Sequence, residues 1–304
     1  MSTTRPSTSG CLTCPVAGHC PAARRRRSAR SRQRAALLLL LLLACGVAAF
    51  AQRPAGHSFS VGLNPGWLQR QDLVFSPLVH HAISPLGVDL RYAARGKWPQ
   101  TFGLRYVGYR PQAGPAFSYV DDGVTKTAGP HVFTFVNADY TLGRSFARNR
   151  ASITTVGVAV NLDVDLLNYA YGRTGNFGYF TSAGVGFFVD REWQMSKGGS
   201  FDLQVAVPVI GWISRSPYLV NDDEFIENIA DHSELRSLFA FVADGRFRTF
   251  TAVQAATLSA DYRYPLLSRV HVGLGLRLAA LRTDDPRPLR SLELAIPVSL
   301  TFNW

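Results

Sequence analysis

The feature that most constrains this chain is an alternation of period two that recurs along most of its length. In the terminal stretch LELAIPVSLTFNW, Leu292, Leu294, Ile296, Val298, Leu300, Phe302 and Trp304 fall on one face. Ser291, Glu293, Ala295, Pro297, Ser299, Thr301 and Asn303 fall on the other. Successive side chains of a strand point to opposite faces, so such a run is a strand with one apolar side. Ten segments carry this pattern, approximately 56–66, 84–95, 100–110, 130–142, 151–162, 178–190, 200–212, 247–262, 269–281 and 290–304. Their bulky faces include Leu86/Val88/Leu90/Tyr92, Val156/Val158/Val160/Leu162 and Phe201/Leu203/Val205/Val207/Val209. Gly, Ser, Thr, Ala and isolated charges dominate the other faces, where the water-exposed side of a soluble β-sandwich would be crowded with Lys and Glu. That composition fits a cramped polar lumen.

Fold reasoning starts near Gln52, because the residues before it read as a leader. A basic run is followed by AALLLLLLLACGVAAFAQ, an apolar core too short to cross a bilayer as a helix, with Ala49-Phe50-Ala51 as an A-x-A cleavage site. The expected division is a basic extension plus secretory signal peptide over 1–51 and one β domain over 52–304. A lipoprotein-type cut at Cys45 is the rival. The net charge of +11 would suggest nucleic acid, but eight arginines and no acidic residue lie in the first 52 positions, leaving the remainder near balance. No nucleic-acid partner is expected. All four cysteines, Cys11, Cys14, Cys20 and Cys45, also lie in this leader. Three of them crowd with His19 into ten residues, a poor start for a zinc site, so neither metal nor cofactor is expected.

No other apolar stretch is long enough for a membrane helix, so a membrane-embedded mature chain must be a closed barrel, in which every backbone group pairs between strands. The connections support this. From the first strand onward they read long (67–83), short (96–99), long (111–129), short (143–150), long (163–177), fairly short (191–199), very long (213–246) and short (263–268). Such barrels alternate turns at one end with loops at the other. Only the last connection, 282–289, breaks the rhythm. Tyr92, Tyr140, Tyr262, Tyr264 and Trp304 fall near one predicted end, as an interfacial girdle would.

The leader, the thiol-free remainder, hairpins such as YPLLSRVHVGLGLRLAAL and the terminal SLTFNW resemble bacterial outer-membrane β-barrel proteins. The resemblance implies an all-β, closed, antiparallel up-and-down transmembrane barrel of about ten strands, with twelve as the alternative. It also implies residence among outer-membrane lipid, and a final strand, ending in Phe302 and Trp304, that is read by the barrel-assembly machinery. It implies no reaction and no extracellular ligand. The architectural alternative is a soluble secreted β-sandwich.

A barrel of ten strands is little wider than one filled by its own side chains, which excludes a general porin. Two lumen charge pairs are expected across hairpins: Asp89 with Arg105, equidistant from Lys97, and Arg277 with Glu293, equidistant from Asp285. A lipid hydrolase would need a nucleophile and base near the rim, for which the candidates are His57-Ser58, His80-His81 and His232-Ser233-Glu234. Adjacent residues on a strand point apart, which argues against the first as a dyad. The acidic connection 213–246 sets Phe225, Ile226, Ile229 and Leu235 at helical spacing, and suits either a short amphipathic helix capping or entering the barrel or a cation or partner site at the surface. The expected role is structural, surface-interacting or narrowly transporting, with no catalytic residue.

Overall fold

The computed structural model describes residues 56–149, 151–171, 174–195, 198–216, 242–243 and 245–304. The leader, its cleavage residues Ala49 and Ala51, the cysteines and most of the acidic segment, with His232-Ser233-Glu234, lie outside these. The strands are β1 (Gly56–Leu63), β2 (Gly66–Asp72), β3 (His80–Ser84), β4 (Gly87–Arg95), β5 (Gln100–Tyr109), β6 (Phe117–Asp121), β7 (Val124–Ala128) and β8 (Val132–Asn149). There follow β9 (Ser152–Tyr171), β10 (Thr174–Gln194), β11 (Ser200–Arg215), β12 (Arg246–Thr249), β13 (Val253–Pro265), β14 (Val270–Thr283), β15 (Leu289–Ala295) and β16 (Val298–Asn303). Antiparallel ladders run β1–β4–β5–β8–β9–β10–β11–β13–β14–β16 and return to β1, closing the sheet. The result is a ten-stave barrel, because β2, β3, β12 and β15 extend the staves of β1, β4, β13 and β16. The β6–β7 hairpin stands apart from it.

Alternation sets the two surfaces. Phe59, Val61, Leu104, Val158, Val160, Leu162, Leu274, Leu276, Leu300 and Phe302 are exposed outward, forming an apolar belt that water would not tolerate. Tyr92, Tyr140, Tyr262, Tyr264 and Trp304 are exposed beside it. No helix among the described residues is long and apolar enough to cross a membrane.

Several boundaries differ from the sequence expectation. Residues 163–177 are not a long connection, since β9 and β10 run on to Tyr171 and back from Thr174. Asp163 and Asp165 look like loop residues but are inward positions of a continuing strand. Likewise 67–83 is mostly strand, with only 73–79 connecting β2 to β3. Register slips at Val185/Gly186 opposite Pro208, so Ile210 rather than Val209 continues the outward row of Val205 and Val207. Pro297 interrupts the closing stave between β15 and β16, and the neighbouring staves break at Asn64–Pro65 and Pro85–Leu86. Proline has no N–H for the ladder, so the break falls where prolines cluster. Bonds from Ile296 N–H to the Pro65 carbonyl (2.9 Å), Asn64 N–H to the Gly87 carbonyl (2.9 Å) and Gly275 N–H to the Pro297 carbonyl (2.7 Å) hold the seam.

Candidate functional site in the barrel lumen

The lumen has two levels. At the long-loop half, Leu68, Ala82, Val107, Tyr109, Phe133, Phe135, Leu167 and Tyr169 point inward and pack together, with Phe75 of the first loop stacked on Tyr169. These side chains fill the interior on the β2–β10 side.

Beneath and beside this packing, ion pairs cross from wall to wall. Arg70 of β2 reaches Asp165 of β9 at 2.6 Å, and Arg215 of β11 reaches Asp72 at 2.6 Å. Arg105 of β5 meets Glu293 of β15 at 2.5 Å and also donates to Asn137 Oδ1 at 2.8 and 3.1 Å. Tyr109 donates to the other oxygen of Glu293 at 2.5 Å. Asn137 passes the network to Asp163 (2.8 Å), which also accepts from Ser182 (3.0 Å). Buried charges persist only when paired and hydrogen-bonded, and here each carboxylate is held by partners from a different stave.

Towards the short-turn end the inward residues shrink to Ser58, Ser60, Gly62, Gly103, Gly273 and Thr301, and a cavity of about 310 Å³ opens. Two looser pairs span it: Arg91 to Asp261 at 3.5 Å and Arg277 to Asp139 at 4.0 Å, all four side chains partly exposed. Arg263 pairs with Asp202 along the wall. The cavity does not stop under the packed half. It continues past Ala206, Gly211, Ala255 and Ala279 to Ile213, Arg248 and Phe250, along a wall of small side chains on β11, β13 and β14.

The four charges named from the sequence all face this lumen, but they are paired differently. Asp89 lies directly opposite Arg105 in the ladder, yet the Arg105 guanidinium forms its ion pair with Glu293. Arg277 does not oppose Glu293. Its ladder partner is Ala295, and Glu293 opposes Ala279. The five-residue connection 284–288 is centred on Pro286 rather than Asp285, which shifts the register by two. Arg277 then lies across the lumen from Asp139.

Of the histidines, His57 points outward, stacks on Trp304 and hydrogen-bonds Tyr92 through Nδ1 at 2.8 Å, while Ser58 is buried on the opposite face. His57 N–H also donates to the Trp304 carbonyl at 2.9 Å, and Trp304 returns the bond at 3.0 Å. His81 faces outward against Trp67. His80 is buried among the rings of His131, Phe133 and Tyr169. Outward residues at its level, Gln69, Gln71 and His81, are polar, so it lies at the rim of the apolar belt and not within it. Burial, aided by the nearby His131, lowers the His80 pKa to about 4, against smaller raising influences from the Ala113 backbone and Asp72.

Sequence reasoning missed Arg70, Asp72, Tyr109, Asn137, Asp163, Asp165 and Arg215. The signal for the two aspartates was present in NLDVDLL, where they alternate with Leu162, Val164 and Leu166.

No family model and no curated protein sequence matches the chain. Among solved structures, the outer membrane protease OmpT from Escherichia coli aligns at 5% identity over 84% of this chain and 99% of its own, with a TM-score of 0.48. The translocator domain of autotransporter NalP from Neisseria meningitidis aligns at 8% identity over 93% and 99%, TM-score 0.35. The P. putida toluene transporter TodX aligns at 12% identity over 83% and 90%, TM-score 0.31. The chain's architecture is that of bacterial outer-membrane β-barrel proteins: a closed ten-strand antiparallel barrel with an apolar belt.

Proposed function

We propose that this protein is an integral barrel of the bacterial outer membrane, long-loop end outward, that gives small polar solutes a narrow, ion-pair-restricted route across it. The single observation behind this is the cavity that runs beside the packed half along the small-residue wall of β11, β13 and β14. Its charges come in both signs, with Asp139, Asp261, Arg91 and Arg277 reaching across it, which suits hydrophilic rather than hydrocarbon cargo. The filled interior on the other side argues against a wide, unselective pore. Insertion through the barrel-assembly machinery, with Phe302 and Trp304 on the closing strand as its signal, belongs to the same proposal.

Reconstitution in planar bilayers tests it. The wild type should give small unitary conductance, and Arg91→Ala/Arg277→Ala should raise it several-fold while leaving heat-modifiable gel migration intact. Zero conductance in both would overturn the transport role. A surface-interaction role would then be the better one, favoured by the exposed Phe117 and Val124 of the β6–β7 hairpin.

A further inference from the structure

Two arginines lie directly opposite one another on the outside of the barrel. Arg282 of β14 and Arg290 of β15 are ladder partners. Their chain neighbours Leu281 and Ser291 line the cavity, and Thr283 and Leu289 are buried, so both arginines point away from the lumen and are exposed. Direct cross-strand neighbours have Cβ atoms about 5 Å apart, and like charges there destabilise the pairing. Asp284 offers Arg282 a partner at 3.6 Å. Arg290 has no counter-ion among the described residues.

The row continues on both sides. Gln254 of β13 opposes Arg282 and Gln71 of β2 opposes Arg290, giving four donor side chains across four adjacent staves. Gln71 spends one amide hydrogen on the Pro77 carbonyl at 2.8 Å. One level towards the membrane the outward residues are Ala256, Ala280, Leu292 and Gln69, and the next level is Leu258, Leu278, Leu294 and Trp67. The arginines therefore sit on the rim of the apolar belt, at the depth of lipid headgroups on the long-loop side. Near an interface an outward arginine costs little, so the position is tolerable. A repulsive pair bordering the belt is better explained by a shared anion than by the protein's own contacts.

We infer that Arg282 and Arg290, flanked by Gln71 and Gln254, form a clamp for the phosphate of a lipid headgroup in the leaflet at the long-loop end. Guanidinium groups bind phosphate oxygens in pairs, and two opposed forks can hold one phosphate from both sides while the acyl chains lie along Leu258, Leu278 and Leu294. The inference rests on the membrane residence proposed above and not on the transport role.

The test uses the full-length protein in detergent, after its insertion into phosphatidylcholine vesicles has been checked separately, so that a failure of membrane residence is seen first. Thermal midpoint and binding are measured with phosphorylated lipid A, with the same lipid stripped of phosphates, and with inorganic phosphate. Phosphorylated lipid should bind at least tenfold tighter than the stripped form and raise the midpoint. Arg282→Gln/Arg290→Gln should lose about tenfold or more of that affinity, yet melt no lower than wild type without lipid, because the repulsion is gone. Arg282→Lys/Arg290→Lys, which keeps the charge, should fall between. Equal binding of stripped lipid, or an unaffected Gln pair, would overturn the clamp. Equal stabilisation by inorganic phosphate would overturn the lipid assignment.

Discussion

Glu293 shows how much one inward position carries. Its two oxygens accept from Arg105 and Tyr109 on β5, tying the closing stave to a wall from which two staves, those of β1 and β4, separate it. Removing one member of a buried pair leaves the other charge uncompensated, at a cost of about 3–5 kcal/mol, whereas replacing both with apolar groups can be nearly neutral. Glu293→Leu is thus expected to lower the thermal midpoint sharply, and Arg105→Met/Glu293→Leu to recover most of it, read by heat-modifiable migration against temperature. A double variant as unstable as the single would contradict the pairing. His80 gives the second residue-scale prediction. Folding lowers its pKa from 6.5 to about 4, so between those values the unfolded chain binds more protons than the folded one. Stability is complete above pH 6.5 and is lost as pH falls towards 4, by about 3 kcal/mol for this group. His131, also lowered by burial, contributes in the same direction. Melting midpoints between pH 7 and 4.5 should fall more steeply for the wild type than for His80→Phe; Asp72, Arg70 and Tyr169, which also influence His80 or ring it, remain in both proteins.

At the scale of elements, the staves are unequal. β8, β9 and β10 are paired without a break over most of their length, while the staves containing β1, β4 and β16 are interrupted at one level by Pro65, Pro85 and Pro297. Asn64, beside that seam, is buried with neither side-chain amide atom bonded. Fewer ladder bonds mean cheaper local opening. Backbone amides of Asn64 and Ile296 should exchange with deuterium faster than those of Val136, Val160 and Val164, measured in detergent by mass spectrometry; uniform protection would refute a soft seam. Much of this was legible. The two faces differ so strongly in Leu, Val and Phe that period two located all ten staves. What was hidden has physical causes. A bulge at Val209, opposite the Val185/Gly186 step, moves every later residue of β11 to the other face, and a turn centred on Pro286 moves Glu293 two residues from Arg277. Polar residues at strand ends, such as Asp163 and Asp165, look like loop when the lumen they face cannot be seen. Cross-lumen partners such as Arg105 and Glu293, 188 residues apart, are set by closure of the sheet, on which sequence spacing is silent.

For the whole molecule, the division of the lumen matters more than its strand count. One side is filled by buried aromatic and aliphatic side chains, and the other is lined by Ala206, Gly211, Ala255 and Ala279. A ten-stave barrel has room for roughly one such filling, so the open side is open because its inward residues are small rather than because the barrel is wide. Small changes of volume there should therefore act on passage without acting on closure. Ala279 lies inward on β14, opposite Thr257 and Glu293, with its side chain against the cavity. Ala279→Trp adds bulk into existing space, so the barrel should still migrate as a folded, heat-modifiable species while conductance falls at least tenfold. The same substitution at Ala280, its outward neighbour, would place the ring in lipid and leave conductance unchanged. If Ala279→Trp conducts as the wild type does, solute does not use the β11–β13–β14 wall. If both substitutions abolish conductance, the effect lies in assembly and not in the passage.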